Sequence, residues 1–296
     1  DRVMFPIVSQ KGEVIAFGGR VLGAGEPKYL NSPETPLFEK GRELFGLPQA
    51  RTAIRDRETV IVVEGYMDVI ALAQHGVDNA IATLGTATTP MHVQKLLRQA
   101  DRVVFCFDGD AAGRKAAWRA LENSLEVLPE QKSIGFVLLP EGEDPDSLVR
   151  KRGGEAFQRM IIEATPLSDF LLRELSQHCD LSSAEGRARL VADAKPLLGR
   201  MLSPLLRLQL VKRLAQVSGF SQAEVERLCS LRAIVKPAPA RAPRQAPSLL
   251  RPLLRLLLQN PALASRLPLE LLPEHAPEAR AIRLLCATIA GAGAEP

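Results

Sequence analysis

The chain has 296 residues, 46% hydrophobic and 24% charged, with a formal net charge of +4; this is an ordinary globular composition with room for about two domains and at least one large core. No run of about 18 apolar residues occurs, so no membrane span is indicated; Asp1-Arg2-Val3-Met4 is no signal peptide, and without an initiator Met the sequence is expected to be an internal part of a longer protein. Cys106, Cys179, Cys229 and Cys286 lie far apart with no Cys-x-x-Cys pair, which argues against zinc binding and a disulfide scaffold and fits a reducing cytoplasm.

In chain order, Met4 to Val8 and Val14 to Phe17 read as strands around a turn at Gln10-Lys11-Gly12. Residues 24–38, rich in Gly, Pro, Asn and Ser, read as a loop. Val60-Ile61-Val62-Val63 is a short β-branched run, hence a buried strand, and helical spacing over 66–75 stops at Gly76. Ala80 to Ala82 is a short strand. Thr89-Pro90 opens a helix, with Thr as N-cap and Pro at the first helical position. Arg102 to Phe107 is a strand, about 113 to 127 a helix, and Ile134 to Leu139 a fourth strand. Strands alternating with helices imply a parallel sheet covered on both faces, an α/β fold. Residues 153–230 show only helical periodicity. Residues 236–247 hold four prolines and no acid, an extended linker, and 248–290 are Leu-rich and helical but too short to close a core comfortably. No internal repeats occur.

The net charge hides an asymmetry. Residues 59–150 carry 8 basic and 13 acidic side chains, whereas 151–230 carry 12 and 9, and 231–296 carry 9 and 4. A segment this acidic repels a polyanion unless cations sit in it. Three of its strands end in acids: Glu64-Gly65 with Asp68 one turn on, Asp108-Gly109-Asp110, and Glu141 to Asp146. Functional groups gather at the C-terminal edge of parallel strands. Carboxylates gathered there suit a hard cation, Mg²⁺ or Mn²⁺, and two such ions assist displacement at phosphorus. A lone Asp-x-Asp is more often a turn or helix cap; its pairing with a Glu-Gly after a second strand of the same sheet is far more specific. The residues expected to hold metal are Glu64, Asp108 and Asp110.

The arrangement resembles the Toprim domain shared by topoisomerases and primases. Glu64-Gly65-Tyr66-Met67-Asp68, Thr83-Leu84-Gly85-Thr86, Phe107 to Gly113 and Asp144-Pro145-Asp146 are similar to bacterial DNA primases of the DnaG type. So are Phe5-Pro6-Ile7, Gly18-Gly19-Arg20 and Lys28 to Thr35. The resemblance is close over 1–165, looser to 230 and weak beyond the linker. It implies a Toprim-type parallel sheet flanked by helices (59–150), preceded by the end of a basic α+β polymerase-core subdomain (1–58). A helical subdomain (151–235), the linker (236–247) and a truncated helical, helicase-binding region (248–296) follow.

The implied activity is synthesis of RNA primers on single-stranded DNA from ribonucleoside triphosphates, by a cytoplasmic bacterial replication-fork enzyme acting as a monomer, with the replicative helicase as partner. Glu64 and Asp108 would bind a catalytic ion, Asp108 and Asp110 a nucleotide-associated one, with Asp68, Asp144 and Asp146 in support. Arg20, Lys28, Asn31 and Lys40 fall in the part of the family that tracks phosphates. The family's zinc module and the start of its polymerase core are absent from this sequence. Two other readings stand beside this one. A Toprim nuclease or topoisomerase needs, in the latter case, a nucleophilic Tyr, and only Tyr29 and Tyr66 exist. A non-catalytic adaptor between single-stranded DNA and a helicase leaves the acidic set unexplained. Tyr66 and Trp118 read as packing residues, and His75 and His92 as helix-end residues.

Overall fold

The structure is a computed structural model that describes residues 1–229 and 249–292. The chain divides into two units, Asp1–Ile234 and Val235–Pro296. The proline-rich linker expected at 236–247 lies outside the described residues.

The first unit opens with a three-stranded antiparallel sheet, β1 (Arg2–Val8), β2 (Val14–Val21) and β3 (Tyr29–Asn31). The third strand corrects the expected loop over 24–38: Gly18, Gly19 and Arg20 pair with Asn31, Leu30 and Tyr29. Three residues among glycines and prolines give no strand pattern by themselves; pairing to β2 makes the strand. Helix α1 (Leu47–Arg57) follows, over a stretch that carried no sequence assignment.

The second sheet is built from β4 (Thr59–Val63), α2 (Tyr66–Gln74), β5 (Ala80–Ala82), α3 (Pro90–Leu97), β6 (Arg102–Phe107), α4 (Ala111–Leu125), β7 (Ser133–Leu138), α5 (Pro145–Ile162) and β8 (Thr165–Pro166). Its order is β5-β4-β6-β7-β8, parallel throughout except for β8. The fold is therefore the expected α/β sheet flanked by helices, with one correction: residues 153–230 are not purely helical, because Thr165 and Pro166 pair along the free edge of β7.

Alternation along each strand divides the core. Val60, Val62, Val103 and Phe105 face one layer with α1, α3, α4 and the later helices. Ile61, Val63, Val104 and Cys106 face the other, with α2 and α5. Successive Cβ atoms point to opposite faces of a strand, so strands covered on both sides must be apolar at every position. Stacked Phe105, Phe136 and Phe170 tie the sheet to α6 (Leu167–Gln177), with the Phe136 and Phe170 rings 4.5 Å apart. Helices α7 (Ala184–Arg200), α8 (Pro204–Ser218) and α9 (Gln222–Leu228) extend the same core. In the second unit, α10 (Leu250–Gln259), two 3₁₀ turns and α11 (Pro277–Ala292) enclose a small cluster around Leu257, Ile282 and Cys286.

Candidate active site

The chain order creates the site. From β4 the chain crosses to β5 on one side, and β6 then inserts on the other side of β4. Loops leaving β4 and β6 diverge, and a crevice opens outside their carboxyl ends. Glu64 follows β4 and Asp108 follows β6.

Two glycines fix the Asp108 loop. A Cβ on Gly109 would collide with the Leu139 carbonyl, and one on Gly113 with the Asp108 carbonyl. Glycine is needed there for close approach of the protein to itself. Asp110 is the N-cap of α4 and accepts a 2.7 Å bond from the Gly113 N–H; Asp144 caps α5 in the same way, accepting from the Ser147 N–H at 2.6 Å. The capping role of such acids thus holds alongside any role toward a metal, since each carboxylate keeps a second oxygen. Asp68 accepts from the Gly65 N–H at 3.0 Å.

A cavity of about 320 Å³ opens at this edge. Glu64, Asp68, Asp108, Asp144 and Asp146 line one side, and Arg20, Lys28, Tyr29 and Asn31, from the antiparallel sheet, line the other. Asp110 and Lys40 are not among the lining residues. The Lys40 N–H donates to the Glu34 carboxylate and its carbonyl accepts from His92 Nε2 at 2.9 Å, so its backbone serves the loop that leads to α1.

The acids raise one another. Asp68 is pushed up to about 7, by burial first and then by Asp144 and Asp108. Asp108 is raised by burial, then by Asp144 and Asp110. Glu64 is raised by burial, then by Asp108 and Asp110, with a backbone bond from Asp108 opposing. By surface area the Glu64 side chain is exposed; protein crowding one side of it still displaces enough water to disfavour its charge. Among the described residues Asp146 pairs with Arg150, but Glu64, Asp68, Asp108, Asp110 and Asp144 have no ion-pair partner. Uncompensated, partly desolvated carboxylates of this kind are a donor set for a hard cation. Among the described residues no three His, Cys, Asp or Glu side chains form a ready-made metal cage. Mg²⁺ commonly keeps several waters and takes only one or two protein carboxylates, completing its shell with substrate phosphates, so the residues present fit such an ion.

Opposite the acids, Arg20 and Tyr29 are cross-strand partners. The Arg20 guanidinium and the Lys28 ammonium lie 5.8 and 6.0 Å from the Tyr29 ring centre. Sequence reasoning weighed Tyr29 only as a nucleophile and missed its place on the basic wall, because its neighbour across the sheet emerges only once β3 is paired. Asn31 sits at the seam: its Nδ2 donates to the Leu84 carbonyl at 2.8 Å, and its Oδ1 accepts from the Tyr66 hydroxyl. This joins the basic sheet to the loop after β5, from which Thr83 and Gly85 also line the cavity. Tyr66 is buried in an aromatic cluster with Phe5 and Phe45, and burial pushes its hydroxyl up to about 12. It is a packing residue, as its sequence context suggested, and a poor nucleophile. His92 is buried at the start of α3, where Nδ1 accepts from the Thr89 N–H at 3.2 Å.

A parallel sheet with Glu-Gly and Asp-Gly-Asp at its switch point, facing a basic sheet, defines a Toprim-type catalytic core. Matches to known families are specific. Residues 61–149 match the Toprim-like family, 1–51 the N-terminal domain of the DNA primase catalytic core, and 168–223 the DnaB-helicase binding domain of primase. The DNA primase of Escherichia coli is 48% identical over 281 residues, 93% of this chain and 48% of the relative. A solved DNA primase domain from Pseudomonas aeruginosa is 52% identical, with a TM-score of 0.75, over 78% of this chain and 72% of that one. A DnaG primase catalytic domain solved with bound single-stranded DNA is 51% identical, with a TM-score of 0.69, over 73% of this chain and 69% of that one. The chain belongs to the bacterial DnaG-type DNA primase family. It spans about a third to a half of the length of the curated relatives it matches.

Proposed function

We propose that this chain carries the metal-binding part of the catalytic core of a DNA primase, which makes short RNA primers on single-stranded DNA from ribonucleoside triphosphates during replication, by divalent-metal-assisted nucleotidyl transfer. The observation that carries the reading is the division of one cavity into a basic, aromatic wall and an acidic wall on which Glu64, Asp68, Asp108 and Asp144 have no ion-pair partner among the described residues. Glu64, Asp108 and Asp110 are the residues proposed to hold Mg²⁺ or Mn²⁺, with Asp68, Asp144 and Asp146 in support. Such ions would activate the attacking hydroxyl and stabilise the leaving oxygen at phosphorus. Arg20 and Lys28 supply positive charge for nucleotide or template phosphates, and the Tyr29 face offers a stacking surface for a base. Asn31, with both ends of its amide engaged, acts more through the placement of the basic wall than through a phosphate of its own. Lys40 remains a candidate for a phosphate further from the acidic edge.

The partners follow from the same reading. Single-stranded template is supported by the related catalytic domain solved with such a strand. A helicase contact is supported by the match over 168–223, which adds α6 to α8 to the region 248–296 as candidate docking elements. The chain is read as a cytoplasmic monomer, and zinc as the property of a separate module. No helix among the described residues is long and apolar enough to cross a membrane.

The test is Glu64→Gln, which keeps shape and removes charge. Primer synthesis with a single-stranded template, labelled ribonucleotides, Mg²⁺ and a separately added zinc module should vanish while circular dichroism is unchanged. Synthesis at the parent rate would overturn the assignment.

A further inference from the structure

A second cavity, about 610 Å³, lies between α4 and the end of α6. Helix α4 contributes Arg114, Lys115, Trp118 and Arg119 to it, and Leu175 and His178 close the far side. Positions 111, 115, 118 and 122 follow one another at three- and four-residue steps, and 114 lies four residues before 118, so they form one stripe along the helix. Trp118 is half buried: part of its ring packs against the core with Ala117 and Leu121, and the rest lines the cavity. Arg114, Lys115 and Arg119 are exposed, and among the described residues none of them is in an ion pair. Glu122 and Glu174 also line the cavity. Glu122 stands two turns further along α4 than Arg114 and Lys115, so an anion is favoured at the N-terminal end of the stripe. The partial positive charge of the helix start adds to that preference.

That end adjoins the acidic edge. The cavity begins at Ala111, one residue after Asp110, and Trp118 lies about 10 Å further along the helix axis at 1.5 Å per residue. A polynucleotide lying at the acidic edge and following α4 outward would meet cations first and an indole face next. Cations on the backbone and an aromatic face under a base are the sequence-tolerant means of holding single strands. A flexible acidic peptide would find the same cations, but it does not carry an aromatic face beside every charge as a nucleotide strand does, and it has no reason to lie at the acidic edge.

We propose that the Trp118 cavity binds single-stranded nucleic acid beside the acidic edge, with one base stacked on Trp118 and adjoining phosphates on Arg114, Lys115 and Arg119. The inference rests on the primer-synthesis reading for the presence of a polynucleotide at the acidic edge. Trp118 is the single tryptophan of the chain, so its emission reports this cavity alone. The full chain is titrated with an unlabelled oligothymidylate while Trp118 emission is read, and with a fluorescein-labelled copy while anisotropy is read. Emission should change saturably at the concentration where anisotropy rises. Arg114→Ala/Lys115→Ala/Arg119→Ala should lower the salt slope of binding by about 2, at roughly 0.7 per phosphate contact. Trp118→Leu, which keeps apolar volume against the core, should weaken binding by roughly fivefold or more. Absence of binding, binding without an emission change, or an unaltered salt slope in the triple variant would overturn the proposal. An emission change with an acidic peptide and none with the oligonucleotide would overturn it in favour of a protein partner. Retained synthesis in Glu64→Gln would remove the primer-synthesis reading without touching this result, and a silent Trp118 in a synthesis-competent chain would do the reverse.

Discussion

Replacing Asp68 by Asn tests whether the acidic edge is held together at an energetic cost that a cation relieves. Its carboxyl is pushed up to about 7 from 3.8. A raised acid contributes its stability below the unfolded value and loses it as pH rises through the folded one. Folding is therefore opposed at pH 8 by about three units, on the order of 4 kcal/mol at 1.36 kcal/mol per unit. Water reaching this half-buried group reduces the figure, and a gain of about 1–3 kcal/mol is expected for Asp68→Asn. Asn keeps an oxygen to accept from the Gly65 N–H, now 3.0 Å away, and brings no charge toward Asp144 and Asp108. At pH 5 the folded group holds its proton and the unfolded one is ionised for only about one unit, so the gain should shrink by more than half. The assay is urea unfolding in EDTA at both pH values, followed by Trp118 emission, which reports the first unit. A variant less stable than the parent at pH 8, or a difference equal at the two pH values, would refute the reasoning. Added Mg²⁺ should stabilise the parent more than the variant.

Lys28→Ala should lower the salt slope of single-strand binding by roughly 0.7, the loss of one phosphate contact; identical curves at every salt concentration would remove Lys28 from the basic wall. Ending the chain at Leu231 should leave metal-dependent synthesis unchanged and weaken stimulation by a helicase, whereas a large loss of intrinsic synthesis would place residues 248–296 in the catalytic body. If stimulation survives the deletion, the docking elements are α6 to α8. His92 is held down to about 4, by burial first, so it stays neutral in the fold; stability should fall as pH drops from about 6.5 toward 4, by on the order of 3 kcal/mol. An NMR titration of His92 with a midpoint near 6.5 would sink that expectation.

Elements whose pattern is local, and the chemistry attached to their ends, are legible in the residues themselves. Val60 to Val63 and Arg102 to Phe107 announce buried strands because both faces of a covered strand must be apolar. Glu64, Asp108 and Asp144 are legible as candidates because each follows an element boundary. Thr89-Pro90 opens its helix as its cap chemistry dictates. Features that depend on a distant partner emerge only when the folded segments meet. Tyr29 to Asn31 become a strand only against Gly18 to Arg20, and that pairing sets Tyr29 beside Arg20 in the basic wall. Asn31, expected to meet phosphate, is turned to Tyr66 and Leu84, residues 35 and 53 positions away. Asp110 caps α4 and stays off the cavity lining, although its spacing from Asp108 looks equivalent to that of any paired ligand. The two-residue β8 exists because the free edge of β7 offers it hydrogen bonds. Trp118 reads from sequence as a packing residue; only the end of α6, brought across from Leu175, leaves part of its ring facing a cavity. In each case the deciding term is a contact between segments far apart in the chain, which no local periodicity or cap signal encodes.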